Sequence, residues 1–251
     1  MTATPPVFLV DALPDGPAYV LAGPEGHHAA TVRRLRPGET VQLSDGTGGV
    51  ATCTVTSAAA DSLALAVVER TVAPRPQPRL VVVQALAKGD RAELAVELMT
   101  ELGVDQIVPW EAARSVVQWQ GERGERALAR WRSTARSAAK QSRRPFLPDI
   151  AEPHTTRAVC GLIGSLVAPA APGIALVLHA GAGTPIGSLP VPATGSVLVV
   201  VGPEGGLTEG ELTAFRAAGA RPVRLGPDIL RTSTAGAAAL AALAARTPRW
   251  G

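Results

Sequence analysis

With 251 residues, 46% of them hydrophobic and 18% charged, the chain can bury the core of one large domain or two modest ones, which excludes a disordered class. No apolar run approaches a membrane span, and the opening MTATPPVFLVDALPDG has neither a basic leader nor a sustained apolar stretch, so the sequence reads as soluble, unexported and cytoplasmic. The net charge is only +3, so any affinity for nucleic acid must rest on where the basic residues stand.

In chain order, the short apolar runs Thr40 to Leu43, Val50 to Val55 and Leu63 to Val68 come first, separated by Asp45-Gly46-Thr47-Gly48-Gly49 and by Asp61-Ser62. That rhythm predicts hairpins in a small β-barrel. The alternating prolines from Ala73 to Pro78 support neither helix nor central strand and read as a stiff linker. The division is therefore 1–72, a linker at 73–79, and 80–251. Cys53 and Cys160 lie far apart, without CxxC spacing or a histidine cluster, which argues against a disulfide framework and predicts no metal.

Beyond the linker, strands alternate with helices. Leu80 to Ala85 reads as a buried strand; Asp90 with Glu93 is expected to cap a helix that presents Leu94, Leu98 and Leu102 on one face and ends at Gly103. On that helix Glu93, Glu97 and Glu101 repeat at i,i+4 and read as a solvated stripe. Further strands fit Gln106 to Pro109, Ala175 to His179, Val197 to Val201 and Pro222 to Leu225, giving an α/β domain with a mostly parallel sheet. Ala168 to Gly173 and Gly181 to Pro192 read as loops, and alanine-rich Thr234 to Arg246 as a closing helix capped by Thr232 or Ser233.

From Arg114 to Arg144 nine basic residues face two acidic ones, a local charge of +7. Arg123, Arg126 and Arg130 fall near one helical face, and Arg132, Arg136, Lys140 and Arg143 draw a second stripe at spacings of three or four. Such stripes can be a solvated face or can follow a phosphate backbone, and the excess of arginine favours bidentate phosphate contacts.

Two glycine-marked turns follow, Gly202-Pro203-Glu204-Gly205-Gly206 and the stretch Leu225-Gly226-Pro227-Asp228-Ile229-Leu230-Arg231-Thr232-Ser233-Thr234. Each stands where an apolar run gives way to a helical pattern, and Thr208 with Glu211 reads as a capping box. Neither turn has the spacing of a dinucleotide or P-loop fingerprint. Ligands of open α/β sheets collect at the carboxyl ends of strands, so these turns predict a small-molecule site for a different cofactor.

Five blocks carry a more specific likeness: HHAATVRRLRPGE from His27, ALAKGDRAELAVELMTELGVDQIVPW from Ala85, ARSAAKQSRRPFLP from Ala135, VVVGPEGGLTEGEL from Val199 and LGPDILRTSTA from Leu225. In this order, over Gly23 to Ala245, they resemble the 16S ribosomal RNA uracil-N3 methyltransferases, the RsmE family of the SPOUT class. The resemblance implies a PUA-like RNA-binding β-barrel followed by a trefoil-knotted, mostly parallel SPOUT domain, acting as a homodimer on the small ribosomal subunit. It implies methyl transfer from S-adenosylmethionine to N3 of the uridine numbered 1498 by convention.

By the same resemblance the cofactor is held by Leu178, His179, Gly202, Gly205, Gly206, Leu225, Gly226, Ile229 and Leu230. Arg33, Arg34 and Arg36 of the barrel become RNA contacts, as do Arg126, Arg130, Arg136, Lys140, Arg143 and Arg144. Arg231 is the candidate to stabilise charge on the uracil oxygen as N3 loses its proton, and Glu204 to accept that proton or anchor the cofactor. The family pattern LGxRILRxETA is altered here at Asp228 and Ser233, and an arginine usual near the family N-terminus is missing, with Pro6 beside Val7-Phe8-Leu9-Val10. A SPOUT methyltransferase for another nucleotide and a noncatalytic ribosome-assembly factor are the alternatives.

Overall fold

The computed structural model describes residues 4–168 and 172–250, and the chain divides into two units. The first comprises the chain up to Arg75 together with Ala139–Leu147; the second comprises Pro76–Ala138 and the chain from Pro148 onward.

In the first unit, β1 (Val7–Leu9), β2 (Ala18–Leu21), the short helix α1 (Gly23–His27), β3 (Thr40–Ser44), β4 (Gly49–Ala58) and β5 (Leu63–Val72) follow one another. The strands lie in the order β1-β3-β4-β5-β2, antiparallel except for the β1–β3 pair. The three expected runs are β3, β4 and β5; β1 and β2 flank them. Alternation in β4 sends Ala51, Cys53 and Val55 inward against Phe8, Leu21, Val41, Leu43, Leu63 and Leu65. Residues 139–147 complete this unit: Gly48 N donates to Pro145 O at 2.9 Å, Leu147 N to Gly46 O at 2.8 Å, and the Lys140 ammonium lies 5.0 Å over the Phe8 ring.

The second unit contains β6 (Arg79–Ala85), α2 (Asp90–Glu101), β7 (Gln106–Glu111), α3 (Gly121–Gln141, its last three residues counting with the first unit), β8 (Asp149–Ile150), β9 (His154–Thr155), α4 (Thr156–Leu166), β10 (Gly173–Leu178), β11 (Ser196–Val201), α5 (Glu209–Ala217), β12 (Arg221–Val223) and α6 (Thr232–Ala244). Every ladder of its sheet is parallel, in the order β12-β10-β11-β6-β7-β8, with β9 also on β7. Continuous aliphatic runs suit strands covered on both faces. Leu80, Val82, Val197, Val199, Val201 and Leu176 point to a core shared with α2, α3 and α6, and Val81, Val83, Leu198, Val200 and Val177 to one shared with α4 and α5.

Several local expectations are corrected. The N-cap of α2 is Gly89, without a side-chain hydrogen bond, and Asp90 is already the first helical residue. The buried face of α2 is Ala92, Ala95, Val96 and Met99, whereas Leu94 is exposed. These small side chains let α2 approach α6, where a Cβ on Gly236 would stand 2.8 Å from the Met99 sulfur. Gly103 does end the helix at φ +91°. The N-cap of α6 is Arg231 rather than Thr232 or Ser233, because the Thr232 hydroxyl donates to Gly202 O at 3.1 Å instead. Arg143 lies beyond α3 with φ +56° and so leaves the helical stripe. Helix α4, capped by the Thr155 hydroxyl, stands where no element was expected. Of the loop expected at Ala168 to Gly173, residues 169–171 lie outside the described residues, and Gly173 opens β10.

Candidate active site

Strands β10, β11 and β12 run in one direction and release their loops at one edge of the sheet. The segments 178–180, 202–207 and 224–231, with Thr232 and Ala235 of α6, enclose a cavity of about 590 Å³. That volume is within the ordinary range for small-molecule sites. Its walls are tied by backbone: His179 N donates to Val223 O at 2.9 Å, and Gly206 N to Pro203 O at 2.9 Å. Gly206 takes φ +71°, a conformation that a Cβ resists. The Thr232 hydroxyl, bonded to Gly202 O, links the start of α6 to the first glycine turn.

The structure brings together Leu178, His179, Gly202, Gly205, Gly206, Leu225, Gly226, Ile229 and Leu230, and adds Glu204, Arg231 and Asp228 to the same lining. Ser233 is not among the lining residues; it is buried in the first turn of α6. Gly226 needs no positive φ, yet a Cβ there would meet nothing within 4 Å, and the same holds at Gly206. Both leave bare backbone at a cavity wall, which fits a ligand read through amides and carbonyls with aliphatic cover from Leu178, Leu225 and Leu230. Glu204 and Arg231 have no side-chain hydrogen bond or ion pair among the described residues, so both are available to a ligand.

Sequence reasoning missed what stands behind the first turn. Glu211, only 5% exposed, closes the capping box with Thr208 through bonds at 2.8 Å to its amide and hydroxyl, and also accepts from Ala113 N at 2.7 Å. The next residue, Arg114, donates to Gly205 O at 3.2 Å, and a Cβ on Gly205 would stand 3.0 Å from the Arg114 Cβ. One buried carboxylate thus holds the segment after β7 against the GPEGG turn. The capping box was legible; the tie across 98 residues had no sequence signal.

The candidate RNA contacts fall into two groups. Arg33, Arg34, Arg36, Lys140, Arg143 and Arg144 belong to the first unit, and Arg126, Arg130 and Arg136 to the second. Arg33, Arg34 and Arg36 are exposed, whereas the Lys140 ammonium meets Glu25 at 2.5 Å and is three-quarters buried. Arg126 pairs with Glu122 at 3.8 Å and Arg130 with Glu93 at 3.1 Å; Arg136 is exposed. Glu93 therefore leaves the acidic stripe for an ion pair, while Glu97 and Glu101 face solvent. Burial pushes both thiols up, with Arg70 opposing the shift at Cys53, so neither cysteine is an activated nucleophile. Among the described residues no group of three His, Cys, Asp or Glu could hold a metal ion, and no helix is long and apolar enough to cross a membrane.

Comparison with known proteins adds independent findings. A family model described as RNA methyltransferase domain matches residues 74–244, and one described as RNA methyltransferase PUA domain matches residues 21–68. The chain is 47% identical to the ribosomal RNA small subunit methyltransferase E of Mycobacterium bovis, over 97% of this chain and 93% of that one. The Bacillus subtilis protein of the same name is 32% identical, over 93% and 92%. The crystal structure of a ribosomal RNA small subunit methyltransferase E from Neisseria gonorrhoeae, bound to S-adenosyl methionine, superposes with a TM-score of 0.83 at 27% identity, covering 96% of this chain and 98% of that one.

Proposed function

We propose that this chain, which belongs to the ribosomal RNA small subunit methyltransferase E family, is an enzyme that methylates N3 of a uracil in 16S ribosomal RNA at the expense of S-adenosylmethionine. The observation that carries the reading is the cavity of about 590 Å³ built from two glycine turns at the carboxyl edge of a parallel sheet, in a chain with such relatives. The uridine is taken to be the one numbered 1498 by convention.

Bound S-adenosylmethionine would supply an electrophilic sulfonium methyl. The remaining work falls to the protein: to hold a uracil in line and to manage one proton. Backbone of Gly202, Gly205, Gly206 and Gly226 would hold the cofactor, and Leu178, His179, Leu225, Ile229 and Leu230 would cover it. Arg231 would stabilise the negative charge that grows on a uracil oxygen as N3 gives up its proton. Glu204, with no side-chain partner among the described residues, would take that proton or anchor the cofactor.

The domain division at 1–72, 73–79 and 80–251, the knotted threading, the homodimer and the cytoplasmic location belong to the same proposal. Ile229, 85% exposed, and Leu230, 41% exposed, support a second copy covering the cavity rim. Exposed Arg33, Arg34, Arg36 and Arg136 support contact with ribosomal RNA. The test is to incubate the purified protein and labelled S-adenosylmethionine with small subunits from cells lacking the activity, then digest the RNA. Labelled 3-methyluridine is the expected product; another labelled nucleoside, or none, refutes the assignment.

A further inference from the structure

We propose that a second cavity of the same unit, about 580 Å³ and walled by Trp119, Arg123 and the start of α2, binds an unstacked ribonucleotide flanking the target base. The inference rests on the methyl-transfer reading and extends it to a subsite which that reading leaves unused.

Position is the first argument. The cavity opens among residues that follow β6, including Gly89 and Asp90, and the segment that leads from β7 into α3. Strand β6 lies beside β11 and parallel to it, with Gln84 paired to Val201. The loop after β6 therefore leaves the sheet at the same edge as the Gly202–Gly206 turn. An RNA strand laid along that edge passes both cavities.

Chemistry is the second argument. Trp119 is half-buried and packs edge-on against fully buried Trp131, with ring centroids 5.0 Å apart at 80°. Its own ring is held by that contact, while its exposed part is a fixed stacking platform. Gly124 in the first turn of α3 allows the approach, since a Cβ there would stand 2.8 Å from the Trp119 carbonyl carbon. Arg126 and Arg130 are engaged by Glu122 and Glu93, but Arg123 is exposed and has no ion pair among the described residues. The α2 N-terminus beside it has no side-chain cap. A stacking face, a free guanidinium and uncapped helical amides together suit one splayed base with its phosphate, the mode by which proteins read single-stranded RNA. Asp90 at the rim disfavours a row of phosphates and can accept from a base N–H or a 2′-hydroxyl.

The experiment uses the full chain with unmodified small subunits. Trp119→Ala and Arg123→Ala are each expected to raise the KM for the subunit about tenfold. The kcat and the affinity for S-adenosylmethionine should stay within about twofold, and Trp119→Phe should recover most of the loss. Ultraviolet cross-linking of the wild-type protein should attach a nucleotide to the peptide carrying Trp119. Because Arg123 is exposed, its variant tests the idea even if Trp119→Ala folds poorly. An unchanged KM in Arg123→Ala, with no cross-link at Trp119, overturns the proposal. So does a KM rise that merely follows a change of oligomeric mass, which would make this surface a protein interface. A wild-type protein that binds subunits and cross-links at Trp119 without methylating them keeps the nucleotide subsite and sinks the catalytic reading. No binding at all sinks both.

Discussion

Replacing Glu211 with alanine tests the claim that one buried carboxylate shapes the first glycine turn. The change deletes bonds of 2.7 Å to Ala113 N and 2.8 Å to Thr208 N and its hydroxyl, at a position 5% exposed. Hydrogen bonds to a charged group contribute about 1.5–3 kcal/mol each. The Thr208 groups are only partly buried and regain water, and removal of the carboxylate also removes its desolvation cost, so the net loss should be about 3 kcal/mol. For a unit of this size that lowers Tm by roughly 6–12 °C. Urea and thermal unfolding read the stability, and titration calorimetry reads S-adenosylmethionine binding, which should weaken several-fold as the 112–115 segment loosens from Gly205. Glu211→Gln keeps an acceptor for Ala113 N and should lose about half as much stability. An alanine variant as stable as the parent refutes the energetic argument; a destabilised one with unaltered cofactor affinity refutes the link from the tie to the cavity.

Three further outcomes follow from the same geometry. Gly206→Ala forces a Cβ into φ +71° and should cost about 1–2 kcal/mol by chemical denaturation, with weaker cofactor binding by calorimetry. Arg231→Ala should lower kcat by about 10²–10³ in the labelled-methyl assay while cofactor affinity changes little. The Arg249 side chain is 5% exposed and bonded to Asp105 at 2.7 Å and to Pro78 O at 2.8 Å, so Arg249→Ala leaves the largely buried Asp105 carboxylate with Leu80 N but without its cation and should cost about 3 kcal/mol by urea unfolding.

The sheet was legible because β6, β10 and β11 are covered on both faces, which leaves uninterrupted aliphatic runs such as VLVVV. The face of α2 was not. Leucine spacing suggested Leu94, Leu98 and Leu102, but the helix lies so close to Gly236 of α6 that alanine, valine and Met99 fill the contact. The cofactor turns could be found because each is one contiguous stretch and glycine marks it. The Glu211 tie to Ala113 could not, since a carboxylate at N3 of a helix already has a local explanation. Thr232 misled for the opposite reason: a hydroxyl at a helix start predicts a cap, and here a distant carbonyl claims it.

The first unit is interrupted in sequence, and this matters for the order of events during synthesis. Gly48 and Gly46 exchange backbone hydrogen bonds with Pro145 and Leu147, and the Phe146 ring packs where a Cβ on Gly48 would fall. A nascent chain that has reached only the proline segment therefore carries all five strands of the sheet but not the segment that covers its turn at residues 46–48. That segment emerges only after β6, α2, β7 and nearly all of α3 have left the ribosome. The N-terminal unit is begun first but cannot be finished first, and a fragment cut at Arg75 would lack residues 139–147 that complete it.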